Sequence, residues 1–263
     1  GTEPTRTIDV AVTPATQTVR IGQTFQFTAT VTITPEDPST SQNVTWSVEE
    51  AGQGTISASG LYTPPASETA SPMATVRATS VADNRESATA VITIPTAADI
   101  VALGWSAFEA GEFSKAASEF EDALLAVSGL EEALVGRGWA AYRQNQSAAA
   151  AADFDGALAQ NPASNDARAG AVLVAASENR PGDLVPLGLV LLASNPDYTF
   201  SHDVSVSASD IRWLVAQAAL DIGDFPEVVR QLDSLSPGHG LDPESADFVQ
   251  RALEILESLR DSV

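Results

Sequence analysis

The chain has 263 residues, 44% of them hydrophobic, enough for two domains that each bury a core. Its net charge is −22, with Lys115 the single lysine, so it offers no cationic surface to nucleic acid and little attraction to an anionic membrane. Cysteine is absent, which excludes disulfides, thiolate catalysis and Cys-based zinc sites, and no apolar run approaches the roughly 20 residues that cross a bilayer.

The N-terminal part reads as short strands. Ile8, Val10 and Val12 alternate up to the stop Thr13-Pro14, and Phe25, Phe27, Ala29, Val31 and Ile33 alternate up to Pro35-Glu36-Asp37-Pro38. Val44, Trp46 and Val48 form another run, followed by Gly54-Thr55-Ile56, Gly60-Leu61-Tyr62-Thr63, Thr75 to Ser80 and Ala88 to Ile94. Twenty-one threonines fall in residues 1–98 and one, Thr199, in the rest. Threonine is β-branched and suits a half-exposed strand, whereas the alanines that dominate the second half favour helix. A boundary is therefore expected at Ile94-Pro95-Thr96-Ala97-Ala98, with a linker too short for free tumbling.

About seven short strands in under 100 residues point to a β-sandwich. The stretches Val12-Thr13-Pro14, Gly22-Gln23, Val44-Thr45-Trp46-Ser47, Gly60-Leu61-Tyr62-Thr63, Ala74-Thr75-Val76-Arg77-Ala78-Thr79 and Ala90-Val91-Ile92-Thr93-Ile94 together resemble bacterial Ig-like domains of the group 2 type. That resemblance implies an Ig-like sandwich over residues 1–96 and an exported protein, at the cell surface, outside the cell or in the periplasm. Trp46 is expected to be the buried tryptophan of this sandwich.

From residue 97 the sequence repeats itself at an offset of 34. Gly104-Trp105 recurs as Gly138-Trp139, Phe108 as Tyr142, and Ala116 as Ala150. Phe120, Ala123 and Leu124 recur as Phe154, Ala157 and Leu158, and Pro162 is followed by Pro196. These residues look like tetratricopeptide repeats: glycine and alanine let paired helices approach, phenylalanine fills the gap between layers, and proline ends the second helix. Residues 97–263 are thus expected to form an all-α array with units at about 97–130, 131–164, 165–196 and 209–241, and a capping helix at 243–262. The turns are read at Gly111-Glu112, Asn145-Gln146, Arg180-Pro181-Gly182-Asp183 and Asp221-Ile222-Gly223-Asp224, and Ser209-Asp210 as the cap of the fourth unit.

The segment 197–208 is foreign to a helical repeat. Tyr198, Phe200, His202, Val204 and Val206 either belong to an ordered loop folded over its neighbours or donate a strand to a sheet edge.

Function is expected on the first helices. The repeat resemblance implies a concave groove lined by Val101, Trp105, Phe108, Glu109, Val135, Trp139, Tyr142 and Arg143, with Trp105 and Trp139 stacked as neighbours along it. Such rings either anchor a partner or pack between helices. No catalytic residue, cofactor or metal site is expected: there is no phosphate-binding glycine loop, nucleophile elbow or HExxH pattern, and His202 and His239 read as solitary, solvent-exposed loop histidines. The expected partner is a protein, either a peptide segment or copies of the chain itself as a structural subunit of a filament or surface layer. A carbohydrate ligand for the Ig-like part is a further option.

Overall fold

The computed structural model describes residues 6–260. A β-rich region comes first. Its strands are β1 (Thr7–Thr13), β2 (Thr16–Thr18), β3 (Phe25–Gln26), β4 (Thr28–Thr34), β5 (Val44–Val48), β6 (Thr55–Ile56), β7 (Leu61–Thr63), β8 (Met73–Ser80) and β9 (Ser87–Thr93). β1 pairs antiparallel with β4, running from Thr7 opposite Thr34 to Thr13 opposite Thr28. A four-stranded sheet has the order β2-β9-β8-β5, with β2 parallel to β9 and the other pairs antiparallel. A third sheet has the order β3-β7-β6.

The long alternating run from Phe25 to Ile33 is one extended stretch that changes partner midway. Phe25 and Gln26 pair with β7, the Phe27 N–H donates to the Gly60 carbonyl at 2.9 Å, and from Thr28 onward the strand pairs with β1. Period-two alternation puts Val10, Val12, Val31 and Ile33 inside, beside the fully buried Phe27, Tyr62, Val76 and Ile92. Tyr62, whose hydroxyl donates to the Gln53 carbonyl at 2.7 Å, is the large buried ring here. Trp46 is only partly buried, contrary to the expectation that it fills the core.

The helical region contains α1 (Ala97–Glu109), α2 (Phe113–Ala126), α3 (Glu131–Arg143), α4 (Ser147–Gln160), α5 (Asn165–Ser177), α6 (Pro181–Ser194), α7 (Ala208–Ile222), α8 (Phe225–Leu235) and α9 (Phe248–Leu259). These form hairpins that stack in sequence, and the chain divides into two compact units. The first contains the residues up to Ile100 together with Asp122–Ser128, and the second Val101–Glu121 and everything from Gly129.

The stacking follows from volumes. Phe120 and Phe154 are fully buried, and each ring lies between two helical glycines. A Cβ added at Gly104 would stand 2.6 Å from Phe120, and one at Gly138 2.7 Å from Phe154. Gly136 and Gly170, on the first helix of the following hairpin, approach the same two rings more closely still. Each phenylalanine therefore serves both its own hairpin and the next layer.

Several element ends differ from the sequence reading. α7 starts at Ala208 because Ser207, one turn ahead of Asp210, makes a reciprocal capping box; Ser209 is already helical. α6 begins directly at Pro181, so that Pro181, Gly182 and Asp183, read as part of the turn, form its first turn, and Pro186 lies inside the helix. The terminal helix is shorter than expected, beginning at Phe248 after a loop, and residues 261–262 of its expected span lie outside the described residues. Asn145 takes a left-handed φ of 59° in the second hairpin turn, as its residue type allows. His239 is no exposed loop histidine: its side chain is 4% exposed, and its Nδ1 accepts the Leu241 N–H at 3.0 Å.

Candidate protein-binding groove

The eight expected groove residues lie on the first helices of the first two hairpins. Val101, Trp105, Phe108 and Glu109 are in α1, and Val135, Trp139, Tyr142 and Arg143 are in α3. Five of them, Val101, Trp105, Phe108, Val135 and Trp139, are buried. Three of these, Trp105, Phe108 and Trp139, are covered by the segment between α6 and α7. Phe200 is fully buried, with its ring stacked on Trp139 at a centroid distance of 4.2 Å and an interplanar angle of 17°. The same ring meets Trp105 edge-on at 5.9 Å and Phe108 at 6.2 Å. Trp105 and Trp139 thus share Phe200 as a neighbour instead of stacking on one another.

Polar contacts hold this cover in place. His202 lies flat on Trp105, 3.8 Å between centroids and 1° between planes, with its Nδ1 2.8 Å from Glu109 Oε1. Asp203 pairs with Arg143, whose guanidinium also sits 4.9 Å above the Phe113 ring. The Tyr198 hydroxyl donates to Asp166 Oδ1 at 2.9 Å; burial first, then the Asp166 carboxylate, drives its pKa far above the ordinary tyrosine value. Burial likewise raises Tyr142, against the opposing pull of Arg143.

The segment closes on itself. Thr199 and Ser207 form an isolated antiparallel bridge, the Phe200 N–H donates to the Val206 carbonyl at 2.9 Å, and the Ala208 N–H donates to the Tyr198 carbonyl at 2.6 Å. Asp203 closes a turn by accepting from the Ser205 N–H at 3.2 Å and hydroxyl at 2.6 Å. Of the two alternatives for 197–208, the geometry is that of the loop folded over its neighbours. The strand-like alternation of the sequence buries Tyr198, Phe200 and Val206, while Val204 at the tip is 77% exposed.

Beyond the covered stretch the groove is open. A pocket of about 410 Å³ has Trp139, Tyr142, Leu173, Trp213 and Leu214 as its apolar lining and Val206 of the inserted loop as one wall. Arg143, Asp203, Asp210 and Arg260 stand around it. Two of these carboxylates are already engaged, Asp203 by Arg143 and Ser205, Asp210 by the Ser207 cap. Trp213 is fixed by its indole N–H, which donates to the Leu256 carbonyl of α9 at 2.9 Å. Sequence reasoning missed Leu173, Trp213 and Leu214 because α5 and α7 lack the Gly-Trp signature. Their available signal was the recurrence of large apolar residues on first helices. This arrangement can grip an apolar side chain between rings and offer guanidinium groups at the rim; among the described residues no group of acids and histidines is placed to hold a metal ion.

A tetratricopeptide repeat family model matches residues 101–165 and 135–198. No curated protein matches the chain in sequence. Among solved structures, YrrB, a TPR protein described as having an unusual peptide-binding site, is 15% identical with a TM-score of 0.50, over 64% of this chain and 92% of that one. MamA of AMB-1 is 19% identical with a TM-score of 0.46 over 63% and 82%, and MamA of MSR-1 is 16% identical with a TM-score of 0.47 over 62% and 97%. Residues 101–198 therefore carry tetratricopeptide repeats, and the helical region has the fold of a TPR array.

Proposed function

We propose that this protein is a non-enzymatic interaction module that grips a short segment of a partner protein in the pocket lined by Tyr142, Leu173, Trp213 and Leu214. The observation that carries this reading is the pocket itself. It lies on the first helices, presents the Trp213 indole with Tyr142, Leu173 and Leu214, and stays open where the neighbouring stretch is filled by Phe200. The likeness to YrrB, described as having a peptide-binding site, points the same way. Because the inserted loop closes one end, the partner segment is short and anchored by one large apolar side chain. The excess of acidic over basic side chains in residues 99–263, 26 against 9, favours a partner that is basic outside the pocket, whose own rim carries the guanidinium groups of Arg143 and Arg260.

The β-rich region supports an Ig-like presenting module by its arrangement, with β2 parallel to the last strand and β3 and β7 antiparallel in a separate sheet. An exported location rests on that resemblance; protease treatment of intact source cells tests it, since a chain outside the envelope is degraded while cytoplasmic markers survive. Selection from a displayed peptide library against the purified chain tests the pocket. Selected peptides should converge on one aromatic or long aliphatic anchor, and Leu173→Glu should abolish their capture without lowering the melting temperature by more than a few degrees. Absence of any converging peptide would sink the proposal.

Self-assembly is a second reading, favoured by one feature. Val249 and Leu253, one turn apart on α9, are 46% and 51% exposed at the end of the array. Light scattering over a hundredfold range of protein concentration separates the two, since an assembling subunit grows with concentration and a monomeric adaptor stays near 27.3 kDa.

A further inference from the structure

We propose that the β-rich region carries a second binding site, an open groove of about 580 Å³ around Trp46 that takes a neutral oligosaccharide. Trp46 is partly exposed although it lies on the inward-alternating face of β5. Gly60 leaves the room for its ring, since a Cβ there would stand 3.1 Å from Trp46 Cε2. The groove brings to this ring three planar amides, Gln26, Gln42 and Asn43, and the hydroxyl-bearing Ser59 and Thr28. Gln26 is oriented by the fold, its Nε2 donating to the Phe27 carbonyl at 2.7 Å and the Ser59 carbonyl at 2.6 Å. The side-chain amides of Gln42 and Asn43, by contrast, make no hydrogen bond to the described residues.

The chemistry of this lining selects its ligand. An amide presents a donor and an acceptor side by side, which matches a pair of adjacent hydroxyls, and an indole face takes the C–H face of a pyranose ring. Among the described residues no charged side chain lines the groove, although the chain carries 35 acidic and 13 basic residues. An ionic ligand would find no counter-charge there, and an anionic one would meet the repulsion of the whole chain. A peptide would need several apolar contacts, and beside Trp46 the one large exposed aliphatic side chain in the lining is Val81, with Val44 only partly exposed and Ala58 small. An uncharged ligand with apolar faces and a polar rim satisfies all of these terms.

The test is calorimetric titration of the full chain with cellohexaose, maltohexaose and N-acetylchitohexaose, each to about 10 mM, alongside polygalacturonate as the anionic control. At least one neutral hexasaccharide should bind with a dissociation constant of about 1 mM or tighter, and polygalacturonate should not. Trp46→Ala should weaken binding by more than about tenfold, and the double variant Gln42→Ala/Asn43→Ala by about tenfold. The two side chains are exposed and make no hydrogen bond to the described residues, so the double variant stays informative if Trp46→Ala unfolds. Failure of all three neutral sugars overturns the proposal, as does binding indifferent to the double variant or a preference for polygalacturonate.

Discussion

The two halves of the concave face begin with similar materials and end differently. Over α1 and α3 the rings of Trp105, Phe108 and Trp139 are covered by Phe200 and His202 from the chain's own inserted loop. Over α5 and α7 the large apolar side chains Leu173, Trp213 and Leu214 face a pocket that none of the described residues fills. An aromatic residue on a first helix is therefore not in itself a binding residue. What decides its role is whether the same chain supplies the other half of the contact.

The sharpest way to break that comparison is Phe200→Ala. Removing a fully buried ring from the filled half should cost about 3–5 kcal/mol in urea unfolding. A loss below about 1 kcal/mol would show that the loop merely rests on the groove. Trp213→Ala, in the open half, should cost less, about 2 kcal/mol, because its ring already faces solvent in part and loses mainly one hydrogen bond. Equal losses would mean that the two halves are packed alike.

The two groove tryptophans separate on a finer scale. The Trp139 indole N–H donates to the Asp166 carbonyl at 3.2 Å, whereas the buried Trp105 Nε1 has no hydrogen-bond partner among the described residues. Trp139→Phe should therefore destabilise by about 1 kcal/mol more than Trp105→Phe, measured as the difference in unfolding free energy. Smaller again is the ion pair between Arg143 and Asp203, with side chains 41% and 17% exposed. Asp203→Asn should cost less than about 1 kcal/mol, and the difference should shrink further in high salt.

Alkaline titration reads both regions at once. The chain has three tyrosines, and all are raised: Tyr62 to about 12 by burial and then by Glu50, and Tyr142 and Tyr198 upward chiefly by burial. In the unfolded chain they ionise near the ordinary value of about 10, so above that pH the unfolded state releases protons that the folded state keeps. The stability tied to Tyr62 is complete below pH 10.0 and is lost as the pH climbs toward about 12. Absorbance of tyrosinate should accordingly rise together with the loss of helical circular dichroism, and a separate earlier step near pH 10 would contradict the burial of these rings.

Much of the array could be read in advance because its packing repeats. Gly104 with Gly138 and Phe120 with Phe154 sit at matching positions, and a local pattern of small and large residues carries directly into layer contacts. Gly136 and Gly170 are also 34 apart, yet their role was hidden, since the ring each one accommodates belongs to the preceding hairpin. The destination of Phe200 could not be read at all. It depends on shape complementarity with helices some 60 to 100 residues earlier, and no periodicity records such a contact. Trp46 was misplaced for a related reason: alternation shows which face a side chain occupies, not whether the opposite layer extends far enough to cover it.

The phenylalanine-and-glycine clasp has a further consequence at the third hairpin. Thirty-four residues after Phe154 stands Gly188, and thirty-four after Gly138 stands Val172, so the third hairpin has a gap where the second has its ring. Gly188 is buried with no room for a Cβ, because Val215 of α7 reaches into the space beside it. The interfaces are therefore keyed in two different senses along the stack. Hairpins two and three cannot be interchanged, duplicated or deleted without setting bulk against bulk or void against void. The order of the units is thus written into the steric code of their contacts and does not rely on the covalent chain alone.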